Sequence, residues 1–164
     1  MKINELISNK KALEEVYNNY IKKKLIAKSY SDLSQGHIAK SNSNMEFVSF
    51  LLDDNRFLDW AIVGLYYGVY HASLALLSKK GFSSKDHNAT LCFLIKNFAE
   101  LSEADIELID QLAINREDIE FYAGLKQERQ KASYSTSLLF SKSSVEDLRK
   151  KSLKLINKIQ VILG

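Results

Sequence analysis

Apolar positions recur every three or four residues along most of the chain, the spacing of α-helices that bury one face. The first such segment covers about residues 3–27, and its narrow apolar stripe and many charges predict an outer helix. A second covers about residues 30–52, for which Ser29 or Ser31 would serve as the N-terminal cap. The pattern therefore predicts two helices before residue 53.

The segment Trp60–Leu77 is apolar nearly all round, although it is too polar for a membrane span. Its hydrogen-bonding side chains include Tyr66, Tyr67, Tyr70 and His71. A helix of this kind is normally the centre of a bundle, where each polar tip needs a partner or a subunit interface. Asp54-Asn55 offers capping groups ahead of this helix, and Gly81, after two lysines, predicts its end.

Two further helices follow the central one. The polar connection at 83–87 caps a helix over about 88–99. Another runs from Ser102 to about Lys131, with acidic groups in its first turn and a bend near Gly124.

The end of the chain predicts a turn and a last helix. Residues 133–137 are four serine or threonine residues around one tyrosine, which indicates a turn. Ser-Ser-Val-Glu at 143–146 is a capping box for a helix that ends at Leu163. With no proline and only 6 glycines, the whole chain is predicted to be an all-α, antiparallel up-and-down helical bundle.

Composition supports a soluble globular protein, with 46% hydrophobic and 26% charged residues in 164. The net charge of +3 permits nucleic-acid binding without arguing for it, and the basic runs at 22–24 and 149–151 are interpreted as solvated helix faces. The single Cys92 fits a reducing cytoplasm and is expected to be a small buried hydrophobe. No signal peptide is evident, so we expect a cytoplasmic protein without a membrane span.

Motifs for metal, phosphate-loop and serine-hydrolase chemistry are absent from the sequence. The three histidines, at 37, 71 and 87, are too far apart in sequence to form a local metal site. His71 could act as a general base, but a core or interface histidine satisfied by a neighbour is the favoured interpretation.

Two late stretches, 115–122 and 128–134, each contain an arginine followed by a tyrosine. An arginine there could clamp a phosphate, and Tyr122 could stack on a base or donate a hydrogen bond. The alternative is that Arg116 forms an ion pair with Glu120, one helical turn later. The tyrosine rings would then pack against the protein with their hydroxyl groups exposed to solvent.

The residues Leu65-Tyr-Tyr-Gly-Val-Tyr-His-Ala72, followed by Lys85-Asp-His87, resemble the signature helix and connection of the HEPN domain (higher eukaryotes and prokaryotes nucleotide-binding). Asp59-Trp60 fits the start of that helix. The resemblance covers about residues 30–163. It implies a four-helix bundle over 29–164, with 1–28 as an extra N-terminal helical extension.

The family's usual catalytic motif is an arginine, a polar residue and a histidine four to six residues after the arginine. Arg129 matches the arginine and would hold a phosphate, while Tyr134 stands where the histidine is usual. Because tyrosine is a poor general base near neutral pH, Tyr134 would donate a proton or position a phosphate. Arg116, Tyr122 and Lys131 are the residues expected to bind nucleotide or RNA.

Many members of this family are homodimeric toxins or defence ribonucleases that cut RNA without a metal or cofactor. Small stand-alone members are often encoded beside a minimal nucleotidyltransferase, as a toxin–antitoxin pair. The resemblance thus implies a homodimer that binds nucleotide or RNA and has a nucleotidyltransferase partner. Two alternatives stay open: a catalytically inactive scaffold, and a bundle with a small-molecule pocket lined by Tyr66, Tyr67, Tyr70 and His71.

Overall fold

The computed structural model describes the backbone of residues 3–128 and 140–164, and the side chains of 3–117 and 140–164. Within these residues the chain is mainly helical, with one short pair of strands, which confirms the all-α prediction. The helices are α1 (Ile3–Ser8), α2 (Lys10–Lys22), α3 (Ser34–Asp54), α4 (Leu58–Lys79), α5 (His87–Asn97), α6 (Glu103–Glu128) and α7 (Lys142–Leu163).

Helix α4 lies at the centre and packs against α3, α5, α6 and α7. Most of its side chains are buried, including Leu65, Val69 and Leu76. It is the one described helix with the length and hydropathy of a membrane span, but 78% of its most apolar window is buried inside the protein. A helix covered in this way is the core of a bundle, as the sequence predicts.

Glycine lets α3 and α4 approach closely. A Cβ atom added to Gly64 would lie 2.7 Å from Val48 Cγ2, and one added to Gly68 would lie 2.9 Å from Met45 Sδ. Real Cβ atoms do not come so close to their neighbours. Because the Val48 side chain is rigid and that of Met45 is flexible, Gly64 is the glycine that limits the distance between these helices.

The first predicted helix is wrong as a single element. Asn9 interrupts it, because its side chain accepts hydrogen bonds from the backbone N–H groups of Lys11 and Ala12 and caps α2. Residues 26–28, predicted to end that helix, instead form a short strand, β1 (Ile26–Lys28). It pairs antiparallel with β2 (Phe82–Ser84), which follows α4.

The N-terminal segment packs on α5, where Leu6 and Leu13 surround the buried Cys92. Cys92 is fully buried, as predicted, and burial raises the pKa of its thiol to about 11. Ile3 and Ile26 belong to the main core of the bundle.

Two predicted caps are also wrong. Helix α3 begins at Ser34, whose N–H donates to Asp32, so neither Ser29 nor Ser31 caps it. Asn55 adopts a left-handed conformation that ends α3, and it does not cap α4.

The predicted C-terminal end of α4 is confirmed, whereas the N-terminal end of α7 differs from the prediction. Gly81, with φ of +76°, follows the end of α4 as predicted. Helix α7 is capped two residues before the predicted capping box at 143–146, because the Ser141 side chain accepts a hydrogen bond from the Ser144 N–H group.

Candidate functional site

Aromatic side chains on α4 form the base of the candidate site. Tyr66 is buried, and its ring stacks on that of Tyr70, one helical turn later, with centroids 5.4 Å apart. Tyr67 meets the Tyr66 ring edge-on at 5.0 Å. Burial raises the pKa values of both Tyr66 and Tyr70, so each phenol stays protonated near neutral pH.

Arg116, on α6, places its guanidinium over the face of Tyr66, with Cζ 4.5 Å from the ring centroid. This is the distance of a cation–π contact, which fixes the charged group against an aromatic plane. The same guanidinium lies 3.3 Å from the Glu117 carboxylate. Arg116 is mostly buried, so this charge is oriented by its neighbours, unlike that of a freely solvated arginine.

His87, the first residue of α5, completes the cluster from a third helix. Its ring lies 5.8 Å from that of Tyr66 and 6.2 Å from that of Tyr70, measured between centroids. Both ring nitrogens are buried and make no hydrogen bond with the described part of the chain. The nearest carboxylate is that of Asp110 on α6, with Oδ1 3.8 Å from Nε2.

The charges around His87 act on its pKa in opposite directions. Burial is the largest influence and lowers the pKa, and the Arg116 guanidinium lowers it further. The Asp110 carboxylate raises it, but the net pKa is below the ordinary value for histidine. His87 is therefore a neutral imidazole at pH 7, able to accept or donate one proton.

Four of the predicted site residues lie in or beside this cluster, and His71 faces away from it. Tyr66, Tyr70 and Arg116 share the cluster, and Tyr67 borders it. The His71 ring lies 6.4 Å from that of Tyr70, measured between centroids, and its Nδ1 faces His37 on α3, away from the cluster.

His71 is satisfied by a neighbouring histidine, as the favoured interpretation expects. Its Nδ1 lies 3.1 Å from Nδ1 of His37, so one ring donates and the other accepts. Burial lowers the pKa of both rings, and the nearby Lys40 ammonium lowers each further. The pair is a neutral hydrogen bond between α3 and α4.

The remaining predicted residues cannot be placed in this cluster. Arg129, Lys131 and Tyr134 lie outside the described residues, and for Tyr122 only the backbone, within α6, is described. The proposed pairing of Arg116 with Glu120 also involves a side chain outside that description.

Sequence reasoning missed Asp110 and gave His87 only a place in the family pattern. Asp110 and Arg116 are six residues apart on α6, which is not one of the three-, four- or seven-residue spacings that mark a shared helix face. His87 is separated from both by more than twenty residues, so only the packing of three helices joins them. The sequence feature that could have indicated this site is a single histidine, His87, at the start of a helix, and one such histidine is weak evidence for a site.

Chemically, the cluster combines an oriented guanidinium, two protonated phenols and a neutral imidazole. Such a set can bind a phosphate group and exchange a proton with it. Among the described side chains, no group of three or more histidine, cysteine, aspartate or glutamate residues could hold a metal ion.

No family model matches the chain. The chain is similar to a protein of Methanocaldococcus jannaschii named "Putative toxin MJ0142". The two are 29% identical over 126 residues, which cover 77% of this chain and 78% of that protein. The similarity therefore extends over most of both chains.

Proposed function

We propose that this protein is a HEPN-type toxin or defence component that binds nucleotide or RNA. In its active form it is a metal-independent ribonuclease, and a nucleotidyltransferase antitoxin is its partner in the cytoplasm. The observation that carries the toxin role is the similarity to the archaeal protein over more than three quarters of each chain.

The described cluster supports the nucleotide-binding part of this proposal. Among the site residues predicted between 115 and 134, Arg116 is the one whose side chain is described, and it lies against Tyr66 of α4. An arginine held on an aromatic face has a fixed orientation, and the planar guanidinium suits the oxygens of a phosphate. The protonated phenols add donors that do not repel that anion.

Cleavage would require the second arginine motif. In a homodimer, two Arg129 side chains would hold the scissile phosphate, and Tyr134 would assist proton transfer or orient the ribose. The scaffold alternative keeps the same dimer and partner but lacks the cleavage step. Residues 29–164 would form the bundle responsible for these activities, with 1–28 as its extension.

The test is expression of the wild type, Arg129→Ala and Arg116→Ala in a bacterial host, with growth and bulk RNA integrity measured together. The proposal expects the wild type to arrest growth and cut RNA, and both variants to do neither. Lys150→Ala is the matched control, because it removes an exposed cation from α7 and should behave as the wild type. Intact RNA with every protein, at equal expression, would reject the ribonuclease and favour the scaffold.

A further inference from the structure

A groove between α3 and α7 lies apart from the tyrosine–histidine cluster and has a volume of about 380 Å³. This size is typical of small-ligand clefts. The two helices run alongside each other here, with Arg149 and Ser49 at one end of the groove. Asn157 and Gln160, two to three turns further along α7, mark the other end.

Arg149 is half-buried and has few partners for a guanidinium. Its Nη2 donates to Ser49 Oγ at 2.9 Å, and its Nε is buried with no hydrogen-bond partner among the described residues. In the described part of the chain, no carboxylate pairs with it. A half-buried cation without a counter-ion is costly, which indicates that an anion supplies the missing partner.

The rest of the groove has a different chemistry. Its floor is apolar and contains Leu153 and Ile156. Beyond this floor, three side-chain amides lie along the walls, from Asn42, Asn157 and Gln160. Amides of this kind form paired hydrogen bonds with the edges of nucleobases, and an apolar surface suits the base plane.

We propose that this groove binds a nucleoside monophosphate, with the phosphate on Arg149 and the base near the three amides. The assignment rests on the groove alone and is independent of the function proposed above. The Arg149 fork would hold two phosphate oxygens, and the base would lie over Leu153 and Ile156.

Glu46 lies on the wall of the groove, and it is solvent-exposed. Its carboxylate forms no ion pair with Arg149 in the described part of the chain, and it would repel a phosphate bound in the groove. The proposal therefore predicts that Glu46→Gln binds the ligand more tightly than the wild type. This gain-of-affinity variant does not depend on removing Arg149.

The experiment measures binding of AMP by calorimetry and by NMR of the side-chain amide groups. Arg149→Gln should weaken AMP binding at least tenfold, while Lys150→Gln, which removes the adjacent exposed cation, should leave it unchanged. Thermal unfolding without ligand shows whether each variant is folded.

Inorganic phosphate and adenosine, tested alone, separate the two halves of the groove. AMP is expected to bind more tightly than either fragment, with shifts of the Asn157 and Gln160 amides on addition of AMP and adenosine. Phosphate binding equal to that of AMP would overturn the nucleoside part. Absence of saturable AMP binding, equal weakening by Lys150→Gln, or no gain with Glu46→Gln would overturn the site itself.

Discussion

Gly64 sets how closely α3 and α4 pack, so replacing it by alanine tests the architecture that supports α4. The added Cβ would lie 2.7 Å from Cγ2 of Val48, which is fully buried. Valine is restricted to one main rotamer in a helix and cannot turn aside, so the overlap must separate the helices. Such overpacking costs about 1–3 kcal/mol.

The substitution also has a favourable effect, because alanine is a better helix former than glycine by about 1 kcal/mol. The overlap is the larger effect, and we expect Gly64→Ala to lower the free energy of unfolding by about 1 kcal/mol. For a protein of this size, that loss lowers the melting temperature by about 2–4 °C. Urea unfolding followed by circular dichroism measures both the free energy and its slope.

Gly68→Ala is the matched control on the same helix. Its Cβ would meet Met45 Sδ at 2.9 Å, but methionine is flexible and can move its sulfur away. We therefore expect Gly68→Ala to be neutral or stabilising. If Gly64→Ala proved as stable as Gly68→Ala, the close approach would not set the helix spacing, and the reasoning would be refuted.

Three further predictions concern ionisable groups. The pKa values of His37 and His71 are lowered in the folded state, so their contribution to stability is complete above about pH 6.5 and is lost as pH falls below it. Urea unfolding at pH 7.5 and 5.0 should show a larger loss for the wild type than for His71→Asn; equal losses would contradict this. Because the Asp110 carboxylate raises the pKa of His87, Asp110→Asn should lower that pKa further in an NMR titration, and an unchanged or higher value would contradict the arrangement. The buried thiol of Cys92 should resist a thiol reagent at pH 8 in native protein and react in urea, whereas rapid native labelling would show that it is accessible.

The fold follows from patterns that act within one helix. The apolar sequence of α4 requires burial on every side, and Gly81 ends the helix because it readily adopts positive φ. The errors arise where local signals compete. Asn9 is a strong N-terminal cap within a pattern that otherwise predicts a continuous helix. The strand at 26–28 forms because it pairs with β2, which follows α4.

The candidate site was predicted less completely, for a physical reason. Tyr66 and Tyr70 are one turn apart on a single helix, so their shared face could be read from the sequence. The approach of His87, Asp110 and Arg116 depends on how α4, α5 and α6 pack, which periodicity does not specify. The hydrogen bond between His37 and His71 likewise depends on the packing of α3 against α4, which the sequence pattern does not specify.

RNA integrity in a host that expresses the wild type or Arg129→Ala, at equal protein levels, tests the proposed function most directly. The account predicts cut RNA and arrested growth with the wild type alone, and a variant that remains folded and dimeric. Healthy growth with intact RNA for both proteins would contradict the ribonuclease assignment. Cleavage that persists in Arg129→Ala would contradict the proposed role of that arginine.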